Sequence, residues 1–287
     1  MLPEELRRRI AEMNRATLKY APSNSGDRMP VQGAETARRT SRFISIEEAA
    51  PGREIQWPPH RFLLIEKSLD EFCQAADDLV SRFHSCLRLQ ESYPSHHNPE
   101  CKELTVRPLS TWLFLDIETC GLTNSPVFLV GLFFLKEGQF HLEQLLARDY
   151  SEEAAVVHYL SHRVRDFPVL LTFNGKSFDW PFLLDRSMVH GASFSDCPVH
   201  FDVLHAARKQ WKGILPNCKL QTIERFICRR MRYADIPGAL IPEAYHQFVK
   251  TGNALQLKDI LHHNALDLFT TCEITLHLLS GGDAAAL

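Results

Sequence analysis

Residues 112–118 read WLFLDIE, four apolar residues followed by an acid, an isoleucine and a second acid. The apolar run reads as a buried strand, and its acids stand at the end of it. Successive strand residues alternate between faces, so Asp116 and Glu118 point the same way. Two unpaired like charges at the end of a buried strand are costly. A divalent cation removes that cost and gives the pair a purpose. The plain alternative is a capped strand end with Glu118 turned to solvent.

Downstream of this strand, VFLVGLFFL (127–135) and QFHLEQLLA (139–147) follow across short turns, and the three strands read as an antiparallel meander. SEEAAVVHYLSHRV (151–164) has helical spacing with Ser151 as the expected N-cap. PVLLTFN (168–174) reads as a strand buried on both faces, and SFDWPFLLDRSMVHG (177–191) as a helix closed by Gly191. VHFDVLHAARKQW, CKLQTIERFICRR and IPEAYHQFVKTG read as further helices, and the last helix spans about Gln256 to Leu279. The order gives an α/β fold, a mixed sheet flanked by helices, with a smaller N-terminal region.

That region divides into a short helix over 3–19 and a polar linker over 22–42, which carries Arg38 and Arg39. An extension of unassigned role follows over 43–103. It holds an apolar run at Phe62–Ile65, a helix from Leu69 to about Leu89 and a loop over 91–100. The main domain covers 104–281, and 282–287 form a tail. The length of 287 residues suits one large domain or two small ones. With 45% hydrophobic and 23% charged residues the composition is that of a globular protein, and a net charge of -3 gives no overall basic field. None of the eight cysteines forms a CxxC pair, no zinc spacing occurs, and no apolar leader or membrane-length run is present. The expectation is a cytoplasmic protein with reduced thiols and no membrane partner.

Two more acids belong with the strand pair. Asp179 follows the PVLLTFN strand at a helix start, where a lone acid is ordinarily a helix-end charge. Asp267 lies within LHHNALDLF. His263, four positions earlier, shares its helical face, whereas His262 lies about 140° around. If the helix begins after both histidines, either reaches the site. Phosphodiester hydrolysis needs charge neutralised on the attacking and leaving oxygens, which two metal ions about 3.5–4 Å apart accomplish when acids hold them. A nearby histidine can take the proton of the attacking water.

DIET (116–119), NGKSFDWPFL (174–183) and HHNALD (262–267) resemble the three motifs of the DEDD exonucleases, a group with a ribonuclease-H-like fold and 3′–5′ exonuclease members. Together with HFDVLHAARKQW and DIPGALIPEAYHQF, they are closer still to the bacterial YprB-like ribonuclease-H-like family, over about residues 104–280. The resemblance implies that Asp116, Glu118, Asp179 and Asp267 hold two Mg2+ or Mn2+ ions, with Asp116 bridging them. It also implies that a residue before the fourth acid is the general base. One DEDD branch has a histidine at the place of His262; the other has a tyrosine at the place of His263, and helix geometry favours His263. Asp202 resembles a recurring acid and reads as a helix cap or turn residue.

Between 208 and 232 there are eight lysines or arginines against one acid, Glu224. Arg208, Lys212, Lys219, Arg225, Arg229 and Arg230, with Trp211, Phe226 and Tyr233 among or beside them, suit phosphates and unpaired bases. The bland reading is a solvated helix face. Lys176 reads equally as a phosphate contact or a turn cap, while Asn174 and Gly175 allow close backbone approach. Phe178, Trp180, Phe182 and Leu183 read as core. The expected activity is metal-dependent 3′–5′ exonuclease cleavage of DNA or RNA, at a single-stranded segment or 3′ end. A structure-specific endonuclease and a non-catalytic nucleic-acid-binding adaptor are the alternatives. Residues 1–103 are the expected seat of any protein partner.

Overall fold

Pairing of buried strands organises the chain around one seven-stranded mixed sheet. The computed structural model describes residues 43–69, 76–92, 101–122, 124–194, 199–232 and 235–280. The helix expected at 3–19, the linker with Arg38 and Arg39, Tyr233 and the tail lie outside the described residues.

Strands β1 (Arg53–Trp57), β2 (His60–Ser68), β3 (Trp112–Thr119), β4 (Val127–Lys136), β5 (Gln139–Leu146), β6 (Val169–Thr172) and β7 (Val199–Asp202) lie in the order β1-β2-β5-β4-β3-β6-β7. The α-helices are α1 (Ile46–Ala49), α2 (Ala76–Ser92), α3 (Lys102–Thr105), α4 (Glu153–Arg163), α5 (Asp179–His190), α6 (Val203–Trp211), α7 (Leu220–Phe226), α8 (Ile241–Thr251) and α9 (Leu255–Leu279). The expected meander of β3, β4 and β5 is present. β6 and β7 extend it in parallel on the β3 side. Segment 43–103, set apart in the sequence, lends β1 and β2 to the same sheet, with β2 antiparallel to β5. The run Phe62–Ile65 is the buried centre of β2.

Alternation along β3 divides the core into two layers. Leu113, Leu115 and Ile117 pack with Val156 and Leu160 of α4 and Leu183 of α5. Trp112 and Phe114 face the other way, onto Phe83 of α2, Ala206 of α6 and Leu268 of α9. Asp116 and Glu118 therefore lie on the face covered by α9. Trp180, Phe182 and Leu183 are core residues as expected, with Phe178 packed against them. Cys86, Cys120, Cys218, Cys228 and Cys272 are thiols held in no disulfide. No described helix is long and apolar enough to cross a membrane.

Several local expectations are corrected. VHFDVLHAARKQW is a strand and a helix: Val199–Asp202 pair with β6, and the Asp202 carboxylate then caps α6 by accepting from Leu204 N at 3.0 Å. Ser151 is not the cap of α4. Asp149 accepts from Ser151 N at 2.8 Å, capping a 3-10 turn that runs into α4 at Glu153. In CKLQTIERFICRR only Leu220–Phe226 is helical. The chain turns through a left-handed Arg229 (φ 56°), and Arg230 and Arg232 come back to pair with Glu224 of α7. Helix α2 continues through Ser92, past the expected start of a loop at 91, while residues 70–75 of the helix expected from Leu69 lie outside the described residues.

Candidate functional site

The four acids arrive from three elements. Asp116 and Glu118 are half-buried on β3, and the pairing with β4 shifts register immediately after Glu118. A bulge there re-aims the strand end beside the site. Asp179 opens α5 and is 5% exposed. β6 pairs with β3 only as far as Phe114, and beyond that point the Ile117 N–H donates to Asp179 Oδ1 at 3.2 Å. This bond ties the start of α5 to the backbone between the two strand acids. Asp267 comes from α9, which packs across β3 and β4.

Helix α9 runs through both histidines. His262 is exposed, whereas His263 is 7% exposed and its Nε2 lies 3.6 Å from Asp267 Oδ2. The Nδ1 of His263 is 2.9 Å from Asp235 Oδ1. Arg232 has a side chain only 6% exposed and places Nη1 2.5 Å from Asp267 Oδ1, while its Nε donates to Glu224 at 2.6 Å and Nη1 to Asp235 at 3.1 Å.

The acids feel one another. Burial pushes the Asp116 carboxyl well above the usual carboxylate range, helped by the charges of Asp267, Glu118 and Asp179 and opposed by a hydrogen bond from Asn264. Burial likewise raises Glu118 well above its ordinary value, with Asp267, Asp179 and Asp235 adding to it. Burial raises Asp179 from 3.8 to about 7, against backbone N–H groups of Asp179 and Ile117 that favour the anion. A folded carboxyl that keeps its proton when the unfolded chain has lost it costs stability as pH rises from 3.8 to about 7, after which the cost is constant. His200 and His277, held neutral by burial with values near 4, act in the opposite sense over much of that window. The difference between parent and an Asp179→Asn variant isolates the acid. In chelator, the melting temperature of Asp179→Asn relative to the parent should be higher at pH 7.5 than at pH 5. An equal offset at both pH values would show that Asp179 titrates normally.

These hard oxygen donors suit Mg2+ or Mn2+ in chemistry. Among the described residues, no group of three or more His, Cys, Asp or Glu is drawn together at metal-holding spacing. Asp267 is instead turned onto the Arg232 guanidinium.

A family model described as the RNase H superfamily matches residues 113–279. The chain belongs to the RNase H superfamily. It is 34% identical over 171 residues to the uncharacterised protein YprB of Bacillus subtilis (strain 168), covering 58% of this chain and 41% of that protein. The match therefore takes in less than half the length of that relative. Among solved structures it is similar to the family B DNA polymerase of the archaeon Pyrobaculum calidifontis, at 17% identity and TM-score 0.46, covering 60% of this chain and 24% of that one. It is also similar to E. coli exonuclease I in complex with a dA16 oligonucleotide, at 16% identity and TM-score 0.32, covering 56% of this chain and 45% of that one.

In this RNase H superfamily protein, Asp202 has the structural place expected of it. Beyond capping α6, its carboxylate accepts from Asn174 N at 2.9 Å and Lys176 N at 3.1 Å, shaping the turn that delivers Asp179. Asn174 is left-handed (φ 68°), and a Cβ on Gly175 would lie 2.3 Å from Thr172 Oγ1, so the turn requires glycine. Lys176 is exposed at its tip. Arg208, Lys212, Lys219, Arg225 and Arg229 are also exposed, from within α6 to just past the end of α7. Arg230 is placed differently. Its guanidinium lies 3.1 Å from Glu224, 2.8 Å from Glu273 and 4.6 Å above the Phe269 ring.

Sequence reasoning missed Asn264, Gln144, Asp235 and Arg232. Asn264 stood inside HHNALD without a role, and Gly131 split the apolar run VFLVGLFFL without a reason. Asp235 and Arg232 pair with each other locally, but the partners that tie them to the acids, His263 and Asp267, lie on α9 about 30 residues further along.

Proposed function

We propose that this RNase H superfamily protein is a metal-dependent nuclease that hydrolyses phosphodiester bonds of DNA or RNA as a 3′–5′ exonuclease. The observation that carries the reading is the convergence of Asp116, Glu118, Asp179 and Asp267, in which burial and then the charge of neighbouring carboxylates hold the first three above their ordinary range. These four residues would hold two Mg2+ or Mn2+ ions. Bound there, the ions would neutralise charge on the attacking and leaving oxygens of an in-line displacement.

The chain's own groups do the rest. Nε2 of His263 accepts the proton of the attacking water, and Asp235 beside Nδ1 fixes the tautomer that leaves Nε2 free to do so. His262, exposed on a different side of α9, is the weaker candidate. Asp202 holds the Asn174–Lys176 turn so that the Lys176 ammonium meets a phosphate. The exposed cations Arg208, Lys212, Lys219, Arg225 and Arg229 guide the strand toward the acids. Arg230, committed to Glu224 and Glu273, supports α7 instead.

The test is a gel assay with 5′-labelled single- and double-stranded DNA and RNA in Mg2+, Mn2+ or EDTA. A metal-dependent ladder shortening from the 3′ end is expected. Discrete internal products would make the protein an endonuclease, and binding without cleavage would make it an adaptor. Replacing Arg208 and Lys212 by glutamate should weaken binding and flatten its salt dependence, by roughly 0.7–0.9 in log–log slope per lost phosphate contact. An unchanged slope would remove this surface from the substrate path.

A further inference from the structure

Asp116, Gly131 and Gln144 are neighbours in one row across β3, β4 and β5. The middle position has no side chain, and Asn264 of α9 fills the notch. A Cβ at Gly131 would stand 2.2 Å from Asn264 Oδ1 and 2.6 Å from Leu268 Cδ1, so glycine is required for α9 to approach. Asn264 and Gln144 are both fully buried. Nδ2 of Asn264 donates to Asp116 Oδ2 at 2.9 Å and to the Asp116 carbonyl at 3.4 Å. Its Oδ1 accepts from Gln144 Nε2 at 2.9 Å, and the same Nε2 donates to the Leu261 carbonyl at 2.8 Å.

The direction of this relay is fixed at one end. A backbone carbonyl only accepts, so Gln144 must present its amide nitrogen there. Asn264 must then turn its oxygen to Gln144 and its nitrogen to Asp116. The amide orientation is thus set by the backbone of α9 and not by the protonation of the acid. A donor held in this way favours the carboxylate over the acid form and fixes its rotamer.

We propose that Asn264 is a positioning residue for cation binding at this site, holding Asp116 through Oδ2 so that Oδ1 is presented to the ion, with Gln144 fixing its orientation. The proposal rests on the metal-centre reading of the preceding subsection. Acid ligands are themselves commonly held by hydrogen bonds, and loss of such a partner typically weakens metal affinity about 10–100-fold.

Mn2+ titration of the purified full chain, read by the electron paramagnetic resonance of free ion, tests it. Parent, Asn264→Ala and Gln144→Met are compared, with melting temperature in chelator recorded alongside. Asn264→Ala should bind Mn2+ about 10–100-fold more weakly, and Gln144→Met should lose affinity in the same direction. Unchanged Mn2+ affinity in a folded Asn264→Ala, even with a lowered melting temperature, would reduce Asn264 to packing and overturn the proposal. Should Asn264→Ala fail to fold, Gln144→Met decides: weakened binding supports the relay, and unchanged binding overturns it. A parent that binds no Mn2+ would defeat the metal-centre reading itself, a result distinct from a parent that binds and an equal variant.

Discussion

Asp116→Ala should abolish metal-dependent cleavage while leaving the metal-free protein at least as stable as the parent. The two effects have one cause. Asp116 sits where burial and three neighbouring carboxylates oppose its charge. Deleting it removes that repulsion, and the cost is one hydrogen bond from Asn264, worth about 1 kcal/mol net. The same deletion removes one of the four proposed metal ligands. Turnover should fall by at least about 10³-fold, which is about 4 kcal/mol of barrier. Added Mn2+ stabilises a folded protein that binds it, by about 2.7 kcal/mol at 100 times Kd, and the variant should lose that gain. Calorimetric melting with and without Mn2+, beside the gel assay, checks both halves. A large drop in the melting temperature of the metal-free variant would mark Asp116 as a structural residue.

Arg232→Met should be among the most destabilising single changes in the described chain. The guanidinium is nearly inaccessible and faces three carboxylates, Glu224, Asp235 and Asp267, of which Glu224 is 2% exposed. Methionine keeps much of the apolar stem but leaves three acids facing one another. Removing one partner of a buried pair costs about 3–5 kcal/mol. Urea unfolding in chelator should show a loss of this order. In addition, Mn2+ should raise the variant's midpoint more than the parent's, because Asp267 no longer has a competing cation. An equal Mn2+ increment in both proteins would separate Arg232 from the metal site, and a loss below about 1 kcal/mol would show that water screens the cluster.

The long elements were legible because their signals are local. Alternation in WLFLDIE placed Asp116 and Glu118 on one face, and the strand does present them so. Helical phase set His263 beside Asp267, and α9 runs unbroken through both. β6 and α5 fell where apolar runs and the Gly191 stop predicted. What escaped depends on distant partners. HRFLLIEKS becomes a strand by pairing with β5, and VHFD by pairing with β6. Four-residue VHFD merges with a helical pattern downstream, so no period distinguishes it in the sequence. The notch at Gly131 and the Arg232 cluster join residues whose separation along the chain hides them; each was readable only once α9 lay across the sheet.

The position of β2 has a consequence for synthesis. Its sheet partner is β5, with Ile65 opposite Gln144, about 80 residues further on. At roughly 5–20 residues per second, β2 leaves the ribosome about 4–16 s before the strand it must join. An isolated two-stranded hairpin is marginal in water, so β1 and β2 wait with Phe62–Ile65 uncovered and one edge unpaired. The nascent chain is therefore most prone to association during that interval, and slowing elongation between codons 69 and 139 should lower its soluble yield more than the same delay after 146.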